Sequence, residues 1–261
     1  MSLKLNGEKG FTLPEILVVL VLSGLFSGLI LFFGFSFWRY GYLLEADLDT
    51  LVTRLNAGDF LRESFSSSSG LVIQNGIPDP NPNNPDPADA TNSYWEPIHA
   101  VPGNKPIGAP GSTTPLVYYK RFSVNTSGAV VMNGSQPFED EYILYLNGTT
   151  KELLVRTLAN PNATANRLKT SCSPASSTPS CPEDKVIAGD ISSVDLRYFS
   201  RSGNLIDHTS LFDTTTNTYV GPDFTSVEVI EFNIHLAKKP IFQKTNATLN
   251  DTVIRIALRN T

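Results

Sequence analysis

The charged residue with the least hospitable surroundings is Glu15. It closes the stretch Gly10-Phe11-Thr12-Leu13-Pro14-Glu15, and residues 16–38 then run 23 positions without a charge. An ionisable group at the end of such a run is costly to desolvate and needs a partner. Pro14 adds a second constraint. In a helix begun at Met1 it would remove a hydrogen bond and clash with the preceding turn. A chain that begins at Phe11 removes both problems. Pro14 then falls among the first four N–H groups, which have no intrahelical acceptor. Glu15 then lies near the positive end of the helix dipole and near a new α-amino group. The chemistry suggested here is cleavage after Gly10 and ion pairing at Glu15, both done to the chain rather than by it.

The rest of the sequence offers little chemistry of its own. It contains no G-x-S-x-G, H-E-x-x-H, G-x-x-x-x-G-K-[ST] or C-x-x-C. His99, His208 and His235 are far apart in sequence, and His235 reads as a solvated strand position. Glu139-Asp140-Glu141 could be paired carboxylates for acid–base work, but it reads as an acidic, solvated turn before a strand. Asp79, Asn81 and Asn83 begin like a calcium loop. The glycine such a loop needs at its sixth position is Asn84, however, and the glutamate at its twelfth is Ala90. No metal site and no cofactor is expected. Cys172 and Cys181 enclose a Ser/Pro-rich loop and are expected to be oxidised outside the cytoplasm, with two free thiols as the alternative. The sequons at Asn125, Asn133, Asn147, Asn162, Asn246 and Asn250 suit a polar surface without implying glycosylation.

The elements that must position these residues follow from patterning. About 20 apolar residues span a bilayer core, so residues 16–38 can cross. The run is too long for a signal-peptide core. Lys4 and Lys9 precede it, while Glu45, Asp47 and Asp49 follow soon after Arg39, so the N-terminus is expected in the cytoplasm. Leu44, Leu48, Leu51 and Leu55 recur as one apolar stripe, expected to lie on a globular head. Ser66 to Ser69 and Gly70 supply a stop. Gly24 and Gly28 form a small-xxx-small pair, either a close helix-packing face or the ordinary abundance of small residues in membrane helices.

Residues 66–115 hold 10 of the 18 prolines and read as an extended connection rather than a packed element. Strands are expected at 116–124, at 142–146 and 153–158 around Asn147-Gly148, at 194–199, at 225–236 with a bulge near Val229, and at the alternating Ile254, Ile256 and Leu258. A long helix followed by antiparallel strands implies an α+β fold. Net charge is −5, which gives no support to nucleic-acid binding.

Residues 10–15 against a 20-odd-residue apolar helix, after a short leader with two lysines, resemble the N-terminal signal of type IV pilins and pseudopilins. The resemblance covers about 30 residues and implies several things. A prepilin peptidase would remove the leader, 1–10, by cutting between Gly10 and Phe11. Phe11 would be N-methylated. Glu15 would pair with a neighbouring subunit's N-terminus during assembly. The fold would be a ladle: a helix over 11–65, transmembrane over 11–38 and amphipathic over 39–65, a Pro-rich connection over 66–115, and a β-rich head over 116–261. The partners would be other pilin subunits, the peptidase, the inner-membrane assembly platform of a pilus or type II secretion system, and the bilayer before assembly. The precursor would be a single-pass inner-membrane protein, later an extracellular or periplasmic filament subunit.

A weaker resemblance, carried by Val194-Asp195-Leu196-Arg197-Tyr198, the Val-Glu-Val at 227–229 and the closing Arg255-Ile256-Ala257-Leu258-Arg259-Asn260, is to W-type minor pilins and J-type pseudopilins. Two other readings remain: a filament-tip adhesin, and a signal-anchored surface protein unrelated to pili. The second leaves Gly10, Pro14 and Glu15 unexplained.

Overall fold

The computed structural model describes residues 12–80, 94–95, 103–108, 110–206, 226–238 and 247–258. Contacts divide the chain into two units, Met1–Asp49 and Thr50–Thr261.

Helix α1 spans Leu13–Ser66. No proline occurs between Pro14 and Pro78, so nothing in the sequence breaks it. Within it Leu13–Tyr42 is long and apolar enough to cross a membrane. The serine run ends the helix by satisfying its last carbonyls: Ser67 Oγ donates to Glu63 O at 2.7 Å, and Ser68 N to Phe65 O at 3.2 Å.

Eleven strands follow among the described residues: β1 Gly70–Val72, β2 Gly103–Pro106, β3 Thr113–Phe122, β4 Met132–Asn133, β5 Gln136–Pro137, β6 Glu139–Asn147, β7 Glu152–Leu158, β8 Lys185–Ala188, β9 Ile191–Phe199, β10 Val229–Lys238 and β11 Ala247–Ala257. They form a five-stranded sheet ordered β1-β3-β6-β7-β8, a four-stranded sheet ordered β11-β10-β9-β2, and a small β4-β5 ribbon. All pairings are antiparallel. The chain is α+β, as the patterning implied.

One core joins residues 50–66 of α1 to both sheets. Ala57, Leu61 and Phe65 pack with Leu144, Leu146 and Val155 of the first sheet and Leu196, Ile230, Phe232 and Ile254 of the second. The Phe65 ring bridges the sheets, 4.5 Å from Tyr119 and 5.2 Å from Phe232. A second cluster covers the opposite face of the five-stranded sheet: Trp95, Tyr118, Ile143, Tyr145, Leu154 and Leu158, with Val72 and Ile77 against it. Central strands buried on both faces read as unbroken apolar runs, which is why 142–146 is Tyr-Ile-Leu-Tyr-Leu.

Four expectations are corrected. Within residues 50–66, Leu51 and Leu55 of the leucine stripe are not the packed face of the helix, since both are at least half exposed. The face on the sheets begins later and is carried by Ala57, Leu61, Ser64 and Phe65, where a small and a polar residue mute the pattern. Residues 66–115 are not merely a connection. β1 and β2 pair with β3 and β9, and Asn75, Asp79 and Trp95 are buried. Pro106 is accommodated because β2 is an edge strand. Glu139-Asp140-Glu141 is not a solvated turn but the start of β6, with Asp140 and Glu141 buried. Finally, β10 begins at Val229, and its register slips between His235 and Leu236 rather than near Val229. Val227 is buried but precedes the strand, so its opposite parity needs no bulge.

Candidate functional site

The sequence points to the start of α1. Thr12 stands at the helix N-terminus, and its carbonyl accepts from Glu15 N at 3.0 Å and Ile16 N at 3.2 Å. The Glu15 carboxylate turns back and accepts from both Thr12 N and Thr12 Oγ1 at 2.9 Å. This is the reciprocal half of a capping box, a glutamate in the first turn satisfying the backbone donor of the cap residue. Pro14 is the second helical residue, where its missing N–H costs nothing. The uncut chain therefore resolves the Pro14 problem by starting the helix at Leu13, and cleavage is not needed for that. Gly10 and Phe11, the expected cleavage and methylation positions, lie outside the described residues.

Leu13, Ile16, Leu17, Val18 and Val19 around Glu15 are exposed and apolar. Thr12 is the partner the structure gives this carboxylate. Gly24 and Gly28 lie in the same helix, and a Cβ added at either would meet nothing within 4 Å. Their smallness is thus not required by contacts among the described residues, although glycine in a helix interior costs about 1 kcal/mol relative to alanine.

The other singled-out residues are structural. Cys172 and Cys181 form a disulfide, with Cα atoms 5.6 Å apart. Asp140 Oδ1 accepts from Ser123 Oγ, Asn160 N and Asn166 Nδ2 at 2.6–2.8 Å, tying β6 to the 160–166 loop. Glu141 Oε2 accepts from Gly76 N at 2.6 Å and Ile77 N at 2.8 Å, and Oε1 lies 3.6 Å from Lys120 Nζ. These carboxylates are held as hydrogen-bond acceptors inside a packed sheet. His235 is half-buried on β10; His99 and His208 lie outside the described residues, as do Asn81 and Asn83. Among the described residues no group of three or more His, Cys, Asp or Glu could hold a metal.

Sequence reasoning missed a buried ionic cluster on the outer face of the five-stranded sheet. Arg156, 1% exposed, donates through Nη1 to Asp79 Oδ2 at 2.7 Å and through Nη2 to Asp184 Oδ2 at 2.8 Å. Tyr145 Oη donates to Asp184 Oδ2 at 2.7 Å, and Trp95 Nε1 to Asp79 Oδ2 at 2.8 Å. The guanidinium also lies 5.3 Å from the Trp95 ring centre. Although burial opposes its charge, hydrogen bonds to the two carboxylates raise the Arg156 pKa, so the cation is secure. Burial and the adjacent Asp184 push the Tyr145 hydroxyl up, keeping it a donor. The available signal was Arg156 between Leu154 and Leu158 at apolar strand parity.

Residues 5–31 match the family model for the prokaryotic N-terminal methylation motif. No curated protein and no solved structure matches the chain.

Proposed function

We propose that the chain, which carries the type IV pilin signal at residues 5–31, is a structural subunit, a minor pilin or pseudopilin, of a type IV pilus-like filament. Prepilin peptidase cuts it after Gly10, Phe11 is N-methylated, and the mature subunit assembles through its N-terminal helix. Its partners are other pilin subunits, the peptidase and the inner-membrane assembly platform, with the bilayer around the helix beforehand. The N-terminus starts in the cytoplasm and the head ends outside.

The carrying observation is Glu15. A carboxylate sits in the first turn of a bilayer-length apolar helix, inside the methylation motif, with a local threonine as its hydrogen-bond partner. The Thr12 pairing satisfies its oxygen but supplies no opposite charge. A neighbour's α-amino group does, and that pairing offsets desolvation most in a low-dielectric surrounding. Gly24 and Gly28 would let a neighbouring helix approach closely.

The test is Glu15→Ala in the native host. The variant should be inserted and cut like the wild type but lost from sheared surface filaments. Normal incorporation would remove the pairing role.

A further inference from the structure

We propose that the Cys172–Cys181 disulfide is the latch of a strap, residues 73–79 with Trp95, that closes over the aromatic outer face of the five-stranded sheet. The coupling belongs to the head and does not depend on the filament reading.

The strap is fastened at two places on the sheet. Glu141 on β6 accepts the Gly76 and Ile77 amides. Arg156 on β7 holds Asp79, which also accepts from the Trp95 indole. The strap's own bonds close it on Trp95: Gln74 Nε2 donates to Trp95 O at 2.6 Å, and Trp95 N to Asn75 Oδ1 at 2.8 Å. Beneath lie Tyr118, Ile143, Tyr145, Leu154 and Leu158, all buried.

The second fastening depends on Asp184. With Asp79 it flanks the guanidinium, and it bonds both Nε and Nη2. Asp184 is placed by the segments that the disulfide joins. Its amide donates to Cys172 O at 2.8 Å, and Cys172 N donates to Pro182 O at 2.8 Å. Ser171 Oγ accepts from Thr157 N at 2.8 Å and donates to Asp184 Oδ1 at 2.6 Å. The chain of contacts therefore runs from the disulfide through Asp184 to Arg156, Asp79 and Trp95, and it is contiguous.

Reduction by a dithiol breaks the sulfur–sulfur bond. Cys172 and Cys181 become two thiols, and the reductant gives up two electrons and two protons as it closes its own disulfide. The 172–184 loop is then free to carry Asp184 away from Arg156. A buried cation flanked by one carboxylate instead of two loses its fit, and the strap lifts. The head is expected to expose its aromatic face when reduced and to cover it when oxidised, so closure of the strap follows oxidation in the compartment that receives the head.

The experiment is hydrogen exchange by mass spectrometry on the full chain in detergent micelles, oxidised and after dithiol reduction. A fluorescence readout in a Trp38→Phe background follows Trp95, the other tryptophan. Reduction should raise exchange at Gly76 and Ile77 at least tenfold and shift Trp95 emission to the red, while β3 and β6 keep their protection. Asp184→Asn in the oxidised protein should reproduce both changes. Faster exchange confined to 172–184 would overturn the proposal. So would equal loss across all strands, which would make the disulfide a staple of the whole fold. An oxidised Asp184→Asn protein with a closed strap would overturn it too.

Discussion

Replacing Arg156 by methionine is expected to cost the head about 3–5 kcal/mol at neutral pH, the range for breaking a buried pair by removing one partner. Asp79 and Asp184 are both 0% exposed as side chains, with N···O distances of 2.7 and 2.8 Å to the guanidinium. With charge centres about 4 Å apart and an effective dielectric near 20, each pair contributes roughly 4 kcal/mol of attraction. Methionine fills much of the volume but leaves two carboxylates facing each other across it. Tyr145, Ser171 and Trp95 still donate to them, which keeps the net loss below the sum of both pairs. Domains are stable by about 5–15 kcal/mol, so the loss is a large fraction of the whole. With a urea slope of ~1–3 kcal/mol per molar, the midpoint should fall by about 1–5 M. Urea titration of the oxidised full chain in micelles at pH 7, followed by Trp95 fluorescence in the Trp38→Phe background, reads the loss. A midpoint within about 0.3 M of the parent protein would refute the reasoning.

Other outcomes follow from the same geometry. Phe65→Ala should destabilise the head by about 3–5 kcal/mol in the same titration, because the ring fills the seam between the sheets. Burial pushes the Tyr142 hydroxyl up to about 12 from its ordinary 10.0 and raises Tyr119, Tyr145 and Tyr198 as well. Their folded-state pKa values lie above the unfolded value. The stability they contribute is therefore complete below pH 10 and is lost as pH rises through 12 and beyond, which an alkaline circular-dichroism titration should show. Lys151 sits at φ 58° in the β6–β7 turn, so Lys151→Gly should be neutral or stabilising by up to about 1 kcal/mol in thermal unfolding. Replacing Gly24 and Gly28 by leucine should leave the membrane-inserted monomer intact, since neither Cβ meets anything within 4 Å among the described residues, yet reduce its share in sheared filaments.

What could be read in advance was local. The unbroken apolar run announced its helix, because one period carries the signal over dozens of residues. The β6–β7 hairpin lay open in Asn147-Gly148 between two apolar runs, and Cys172 and Cys181 are paired, as expected of cysteines outside the cytoplasm. What stayed hidden was tertiary. Asp79 and Arg156 meet across 77 positions, and Asp184 and Arg156 across 28, so no window contains the cluster. Prolines made 66–115 look unpacked, although short pieces of it pair with sheet edges and cover an aromatic face. The leucines at 44, 48, 51 and 55 satisfied helical periodicity, but periodicity does not say which neighbour a stripe meets. The leading glutamate stood out because a charge beside so long an apolar run needs a reason; the structure adds that Thr12 holds it in the uncut chain.

The measurement closest to the central claim is the intact mass and N-terminal sequence of the full chain co-expressed with a prepilin peptidase, with Gly10→Ala alongside. A chain beginning at Phe11 and carrying one methyl group, with processing lost or strongly reduced in the variant, is the predicted result. A chain that still begins at Met1 in the presence of active peptidase would contradict the account and leave the helix as an ordinary signal anchor.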